Sequence, residues 1–156
     1  MMNNLLNEIN WLYKPFASLS VTELYAILKL RSEVFVVEQN CVYLDMDGKD
    51  DRSFHLCGWH DNLPVAYARI LPPGVAYDNE ASIGRVSTAF AVRKYGAGRL
   101  LMEKAIHHCL DAFPDAGIKI GAQLYLHRFY TSLGFIQSGP EYMEDGIPHI
   151  EMKYAK

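Results

Sequence analysis

Short segments in which apolar residues alternate with polar ones, or run together, predict β-strands along most of this chain. Two of these segments flank the turn His60-Asp61-Asn62 and form a predicted hairpin. Pro72-Pro73-Gly74 ends the second of them, because proline cannot donate to a sheet ladder. The predicted strands cover about 11–16, 54–59, 63–71, 82–90, 118–124, 135–137 and 147–154.

Three segments carry apolar residues at helical spacing instead. The first begins at Ser20, a favourable N-cap, and Glu23 completes a capping box. It continues to Phe35 and carries Arg31 on its apolar face, where that arginine either extends its charge into water or forms an ion pair, for example with Glu38. The second helix follows Gly98 and ends before Pro114, and the third covers about 125–133.

The resulting order, β-α-β-β-β-α-β-α-β-β, predicts one α/β domain over residues 1–156. We expect a mixed central β-sheet of about six to seven strands flanked by helices, with residues 1–10 as a loose end. A chain of 156 residues is long enough for one domain with a substantial core and too short for two ordinary ones.

Composition and charge exclude several functional classes. Half of the residues are hydrophobic and 21% are charged, which is typical of a globular protein. A net charge of −3 argues against a nucleic-acid-binding domain, because such domains are usually basic. No apolar run is long enough for a membrane span or a signal peptide. We therefore expect a cytoplasmic protein. Its three cysteines are far apart, so a disulfide framework or a zinc site is not expected.

An acidic segment follows the first helix and contains Asp45, Asp47, Asp50 and Asp51. Its start resembles a calcium loop, but Gly48 falls at the wrong position and Leu56 replaces the bidentate glutamate. We therefore expect no metal. The segment is open to two interpretations: a solvated acidic turn, or an electrostatic attraction for a cationic substrate.

A glycine-containing turn past the middle of the chain carries the main functional signal. A β-rich run ends there, the basic turn Arg93-Lys94-Tyr95-Gly96-Ala97-Gly98 follows, and a helix begins. A helix start offers free backbone N–H groups and a positive dipole end, and glycine lets an anion approach closely. The turn therefore predicts a site for a diphosphate-bearing ligand. A nicotinamide-binding domain would instead need its glycine turn after the first strand.

The turn Arg93-x-x-Gly96-x-Gly98, followed about 30 residues later by Phe129-Tyr130-x-x-x-Gly134-Phe135, resembles the GNAT N-acetyltransferase superfamily. A narrower resemblance, to the ElaA-type subfamily, runs along nearly the whole chain. The segments that carry it are Leu30-Arg31-x-x-Val34-Phe35-Val36-Val37-Glu38-Gln39-Asn40-Cys41, Asp45-x-Asp47-Gly48, Ala66 to Leu71, Ile83-Gly84-Arg85-Val86 and Glu144-Asp145-Gly146-Ile147-Pro148-His149.

The resemblance implies acetyl-CoA as the donor and a primary amine, small and cationic or on a peptide, as the acceptor. It implies a strand edge that binds pantetheine, a loop that binds the pyrophosphate, and a tyrosine, Tyr130, that protonates the departing thiolate. The implied donor-binding residues are Val86, Ser87, Thr88, Arg93, Lys94, Tyr95, Gly96, Ala97, Gly98, Arg99 and Phe129. A monomer or a homodimer fits this expectation.

Acetyl transfer also needs a base, because a primary amine with a pKa near ~10 is mostly protonated at neutral pH. The candidates are Glu38, His55, Glu141 and His149. Glu38 is preferred because it follows the helix that faces the acceptor in this family, although it could equally pair with an arginine. Tyr130 keeps its proton at neutral pH and can donate it to sulfur, or it can serve as a core aromatic residue.

Two other functions stay open. The first is a CoA-binding sensor or interaction module without turnover. The second is an acyl-homoserine-lactone synthase, because Arg31-x-x-x-Phe35 resembles part of that family's N-terminal helix. The intact acetyl-CoA loop fits the acetyltransferase better.

Overall fold

The structure is a computed structural model that describes residues 2–155, with side chains described for residues 4–155. Its α-helices are α1 (Met2–Asn7), α2 (Val21–Arg31), α3 (Ala97–Ala112) and α4 (His127–Ser132). A π-helical segment, Ser32–Glu38, continues α2. The strands are β1 (Asn10–Pro15), β2 (Phe54–His60), β3 (Leu63–Leu71), β4 (Ser82–Thr88), β5 (Lys119–Gln123), β6 (Phe135–Glu144) and β7 (Ile147–Tyr154).

The strands form two antiparallel sheets, the first in the order β1-β2-β3-β4 and the second in the order β5-β7-β6. A parallel bridge between Ala81 and Ile118 joins the two sheets at one end. There the Ala81 N–H donates to the Gly117 carbonyl at 3.1 Å, and the Lys119 N–H donates to the Ala81 carbonyl at 2.9 Å. Within residues 2–155 the sheets share only this bridge, so β4 and β5 diverge beyond it and leave a cleft between the sheets.

Helices cover both faces of the first sheet, because alternate residues of a strand point to opposite faces. Leu56 of β2 packs into the large core beneath α3, whereas its neighbour Cys57 packs into a smaller core beneath α2. The large core includes Leu101 and Met102 of α3 and extends onto the second sheet. Helix α3 and residues of both sheets therefore share this core.

The sequence predicted this architecture well. The α/β fold class is confirmed, with seven strands within the described residues and a parallel bridge that links two antiparallel sheets. The capping box at the start of α2 is also present: the Glu23 N–H donates to Ser20 Oγ at 3.0 Å, and the Ser20 N–H donates to Glu23 Oε1 at 2.8 Å.

Some boundaries were wrong. The prediction that residues 1–10 are a loose end fails for the described residues 2–10, because α1 lies there and Leu5 and Leu6 pack against a core cluster that contains Ile9. Residue 1 lies outside the described residues. Strand β6 runs on to Glu144, beyond its predicted end at residue 137. Strand β4 ends at Thr88, and α3 begins one residue before Gly98.

No helix among the described residues is long and apolar enough to cross a lipid bilayer.

Candidate active site

The cleft between the two sheets has a volume of about 1040 Å³ and is the main candidate site. Strand β4 and the start of α3 form one wall of the cleft. Strands β5, β6 and β7 form the opposite wall, and the π-helical segment and the acidic segment close one side. A cleft of this size accommodates a ligand as large as a drug molecule or more.

Strand β4 carries a β-bulge in the wall of this cleft. Tyr67 pairs with Ser87 and Arg69 pairs with Gly84, so Arg85 and Val86 together oppose Ala68. Arg85 has a φ of 51°, in the left-handed region that costs a non-glycine residue on the order of 1 kcal/mol. A bulge removes backbone groups from the ladder, and here it leaves them beside the cleft. Val86, Ser87 and Thr88 all line this wall, as the donor-binding prediction requires.

The predicted pyrophosphate loop forms the start of α3. Gly96 precedes the helix with a φ of 82°, a conformation that favours glycine. The first-turn N–H groups of a helix have no partner one turn earlier, so the amides that follow Gly96 are potential anion donors. Gly98 faces the cleft, and a Cβ added there would lie 4.0 Å from the Phe129 ring. A side chain at this position would therefore project into the space between α3 and Phe129.

The structure divides the predicted donor-binding residues into two groups. Those that line the cleft are Val86, Ser87, Thr88, Arg93, Gly98 and Phe129. Those outside its lining are Lys94, Tyr95, Gly96, Ala97 and Arg99. The Arg99 side chain pairs instead with Glu103 at 3.1 Å and donates to Ser132 Oγ at 3.0 Å.

Arg93 and Glu38 form an ion pair in the cleft wall. Arg93 Nη1 lies 2.6 Å from Glu38 Oε2, and Arg93 Nη2 donates to the Thr88 carbonyl at 2.8 Å. Glu38 therefore has the arginine partner that the sequence left open, and the ion pair links the π-helical segment to the turn that contains Arg93.

Tyr130 lies on α4 with its ring packed edge-on against Phe129 and Phe135, at centroid distances of 5.1 and 5.9 Å. It is 6% exposed, and it also lines the cleft. Burial raises the pKa of Tyr130 to about 12, so its hydroxyl keeps the proton at neutral pH. Both roles considered for this residue, in the core and in the cleft, are compatible with this position.

Arg31 is completely buried and pairs with two carboxylates of the acidic segment. Its Nε lies 2.8 Å from Asp45 Oδ2, and its Nη1 lies 2.8 Å from Asp50 Oδ1. Of the two alternatives for Arg31, the one in which its charge extends into water is therefore wrong. An ion pair forms, but its partners are these aspartates and not Glu38.

Two more arginines hold the same segment. Arg69 binds both carboxylate oxygens of Asp47 at 2.8 Å, and Arg85 Nε lies 2.8 Å from Asp45 Oδ1. Arg69 Nη1 also donates to Asp50 Oδ1 at 2.9 Å. We call the three arginines and three aspartates the arginine–aspartate cluster: Arg31, Arg69, Arg85, Asp45, Asp47 and Asp50.

Both interpretations of the acidic segment therefore need correction at these three aspartates. Burial disfavours ionisation of Asp47, yet hydrogen bonds from Arg69 outweigh it and hold the pKa of Asp47 well below its usual range. For Asp50, burial is likewise outweighed by hydrogen bonds from Arg31, and its pKa is lowered. The three aspartates form neither a solvated turn nor a set of free charges, because arginines of the scaffold neutralise them.

The four candidate bases lie in different environments. His55 is buried away from the cleft lining, with Nδ1 2.7 Å from the Tyr67 hydroxyl and Nε2 2.9 Å from the Asp50 carbonyl. Burial lowers the pKa of His55. Glu141 is exposed and lies outside the cleft lining. Glu38 and His149 both line the cleft.

His149 contacts groups that the sequence did not connect with it. Its Nδ1 lies 2.7 Å from the Ile147 carbonyl, and its Nε2 lies 3.3 Å from Glu144 Oε2. Tyr142 stacks on its ring, and Tyr77 lines the same part of the cleft. Tyr77 and Tyr142 were missed because neither belongs to a motif that signals chemistry.

Within residues 2–155 no three His, Cys, Asp or Glu side chains come together as a metal-ligand group.

Comparisons with known proteins agree with this geometry. A family model described as an acetyltransferase (GNAT) domain matches residues 29–156. A UPF0039 protein of Synechocystis sp. is 44% identical over 93% of this chain and 94% of its own length. The crystal structure of an acyl-CoA N-acyltransferase from Pseudomonas aeruginosa superposes with a TM-score of 0.90 and 41% identity, over 94% of this chain and 99% of that chain.

Escherichia coli ElaA provides a second structural match. Its crystal structure gives a TM-score of 0.86 at 46% identity and covers 93% of this chain and 98% of that one. Of these two structural matches, the Pseudomonas aeruginosa protein is described as an acyl-CoA N-acyltransferase. The chain thus belongs to the GNAT acetyltransferase family as an acyltransferase of the group that contains ElaA and the UPF0039 proteins.

Proposed function

We propose that this protein transfers the acetyl group of acetyl-CoA to the primary amine of a small, cationic acceptor. The observation that carries the proposal is the meeting of three features in one cleft: the bulged strand β4, the glycine-bearing start of α3, and the protonated phenol of Tyr130. A coenzyme that runs along β4 from the α3 end would have its thioester between the two sheets.

In this proposal the donor binds mainly to backbone groups. The pantetheine arm pairs with β4 at Val86, Ser87 and Thr88 as an added strand does. The amides of residues 94–99 bind the pyrophosphate, and Arg93 adds positive charge beside it. Of the side chains, Phe129 closes the gap behind Gly98.

The chemical roles follow from the same geometry. A backbone N–H at the bulge, near Val86 or Ser87, polarises the thioester carbonyl as negative charge develops on its oxygen. Tyr130 donates its proton to the departing thiolate, since a phenol is still protonated when a thiol already ionises. Glu38 is retained as a candidate base, although its ion pair with Arg93 also supports a role in holding the donor loop.

The cationic character of the acceptor is supported by the carboxylates left at the far end of the cleft. Glu144 and Asp145 lie at the turn between β6 and β7 and line the cleft, and the Glu144 side chain is 57% exposed. An ammonium group has a counter-ion there without disturbing the arginine–aspartate cluster. A cytoplasmic monomer or homodimer is part of the same proposal.

Gly98→Leu tests the donor site. The substitution replaces a helical glycine with a better helix former, so the fold should be retained, while the new side chain fills the space beside Phe129. We expect acetyl-CoA binding, measured by calorimetry, to weaken by about 100-fold or more, equivalent to ~2.7 kcal/mol. His107→Leu, on the exposed face of the same helix, is the matched control and should bind normally.

Unchanged affinity in Gly98→Leu would contradict this assignment of the donor site. Acetyl-CoA binding with no turnover on a broad panel of amines would instead favour a CoA-binding sensor.

A further inference from the structure

His149 lies in the middle of a polar row that crosses the second sheet. It pairs in register with Gln123 of β5 on one side and with Tyr142 of β6 on the other. All three residues line the cleft. The row therefore runs across the whole second sheet, from β5 at one edge through β7 to β6 at the other edge.

Two neighbours hold the imidazole of His149 in place. The Ile147 carbonyl lies 2.7 Å from Nδ1 and can only accept a hydrogen bond, so Nδ1 carries a proton. The Tyr142 ring stacks on it at a centroid distance of 5.6 Å and an interplanar angle of 28°. Tyr142 in turn packs over Gly121, where a Cβ would collide with its hydroxyl.

The other ring nitrogen, Nε2, points toward a carboxylate. With the proton on Nδ1, a neutral His149 has its lone pair on Nε2, which lies 3.3 Å from Glu144 Oε2. A proton on Nε2 would have this carboxylate as a hydrogen-bond partner. His149 is itself 6% exposed, whereas the Glu144 side chain reaches solvent.

We propose that His149 is the general base that deprotonates the acceptor ammonium, and that Glu144 is a positioning residue that stabilises the resulting imidazolium. This inference rests on the proposed acetyl transfer and assigns the base within it. The acceptor is thereby a primary alkylamine whose ammonium enters past the turn between β6 and β7.

The protons and bonds balance as follows. The ammonium gives one proton to Nε2, and its nitrogen lone pair forms the N–C bond with the thioester carbon. The C–S bond breaks, the thiolate takes the Tyr130 proton, and the proton still in excess on the acylated nitrogen restores the phenol. The imidazolium releases its proton to water beside Glu144, so one ammonium and one thioester give one amide, one thiol and one proton.

The other charged groups around the cleft are less suited to this role. Two carboxylates already have arginine partners. Glu38 Oε2 lies 2.6 Å from Arg93 Nη1, and both carboxylate oxygens of Asp47 accept hydrogen bonds from Arg69. Burial raises the pKa of Tyr77 to about 12, so this phenol is no base at neutral pH. Asp145 and Arg85 also line the cleft, and Arg85 is paired with Asp45.

His149→Asn is the decisive variant, because asparagine can still donate to the Ile147 carbonyl but has no basic nitrogen. CoA release from acetyl-CoA is measured with protonated alkylamines (benzylamine, phenethylamine, spermidine) and with arylamines that are neutral at pH 7 (aniline, p-anisidine). We expect kcat/KM for the best alkylamine to fall about 100-fold or more, and the arylamine rate to change less than about 3-fold. Added imidazole should restore part of the alkylamine rate.

Two control variants and the wild-type protein separate the possible failures. His107→Asn, at an exposed histidine, should behave as wild type. Equal losses with both amine classes, or no loss, would overturn the inference, and a loss confined to alkylamines in Glu38→Gln but not in His149→Asn would assign the base to Glu38. If the wild-type protein acetylates no amine of either class, the proposed function itself fails, and this assignment fails with it.

Discussion

At the scale of single residues, Tyr130 shows why packing and chemistry need not compete. Its ring contributes to the core through Phe129 and Phe135, yet the residue also borders the cleft. The same burial that packs the ring raises the pKa of its hydroxyl to about 12. A phenol in this setting is a dependable proton donor for a thiolate, whose conjugate acid has a pKa near ~8.5.

Replacing Tyr130 with phenylalanine removes the proton but keeps the ring. We expect kcat to fall by about 100-fold or more, with the Kd of acetyl-CoA changed by less than about 2-fold, as measured by steady-state kinetics and calorimetry. Tyr154→Phe is the matched control, because Tyr154 packs against the same Phe135 at 5.4 Å. A Tyr130→Phe enzyme as fast as wild type would remove Tyr130 from the mechanism.

His55 makes stability depend on pH. Burial lowers its pKa in the folded protein, so the unfolded chain binds a proton near pH ~6.5 that the folded chain resists. The contribution of His55 is complete above pH ~6.5 and declines as the pH falls toward its folded pKa, with a slope of up to ~1.4 kcal/mol per pH unit.

Urea unfolding of wild type and His55→Gln between about pH 7.5 and 5 measures this contribution. The two free energies of unfolding should converge as the pH falls, because only the wild-type protein loses the His55 contribution. Parallel pH profiles would show that His55 is not the group responsible.

At the scale of elements, the acidic segment after α2 is fixed by charge and not by an apolar face. Its aspartates bind arginines from three elements: α2 through Arg31, β3 through Arg69, and β4 through Arg85. Arg85 is also the bulge residue with φ of 51°, so its contacts with Asp45 help to hold the bulge that borders the cleft. The cluster thus connects the acidic segment to strand β4.

Arg31→Met tests this connection. Removing one partner leaves Asp45 and Asp50 buried with less positive charge, which should lower the free energy of unfolding by about 3–5 kcal/mol in urea titrations. Arg52→Met, at an exposed arginine of the same region, should change it by less than about 0.5 kcal/mol. A loss in Arg31→Met no larger than in the control would mean that the cluster adds little to stability.

The cluster also shows which contacts local sequence patterns predict and which they miss. Ser20 and Glu23 predicted a real capping box because both partners lie within one helical turn. The partners of Arg31 lie 14 and 19 residues away, in a segment without periodicity, so local patterns could not identify them. The length of strand β6 was underestimated for a related reason. Phe135 is its one buried residue and Pro140 lies at a register shift, so the strand has no alternating apolar pattern.

At the scale of the whole molecule, the candidate site exists because the two sheets separate from the one bridge found among residues 2–155. The strand and helix order, together with the glycine turn, predicted the fold class, which is confirmed, and placed β4 and the start of α3 at the cleft that we propose as the donor site. The pairing of Arg93 with Glu38 could not be predicted, because it joins two residues far apart in sequence. The row from Gln123 to Tyr142 could not be predicted either, because it depends on the register in which three strands of the second sheet pair.

The most direct measurement is an NMR titration of the ¹⁵N-labelled protein with CoA, followed through its backbone amide shifts. The largest changes should fall on Val86–Thr88 of β4 and on residues 93–99, with smaller changes around Phe129 and little change on the outer strand β1. Changes concentrated on another surface, or none at saturating CoA, would contradict the assignment of this cleft as the acetyl-CoA site.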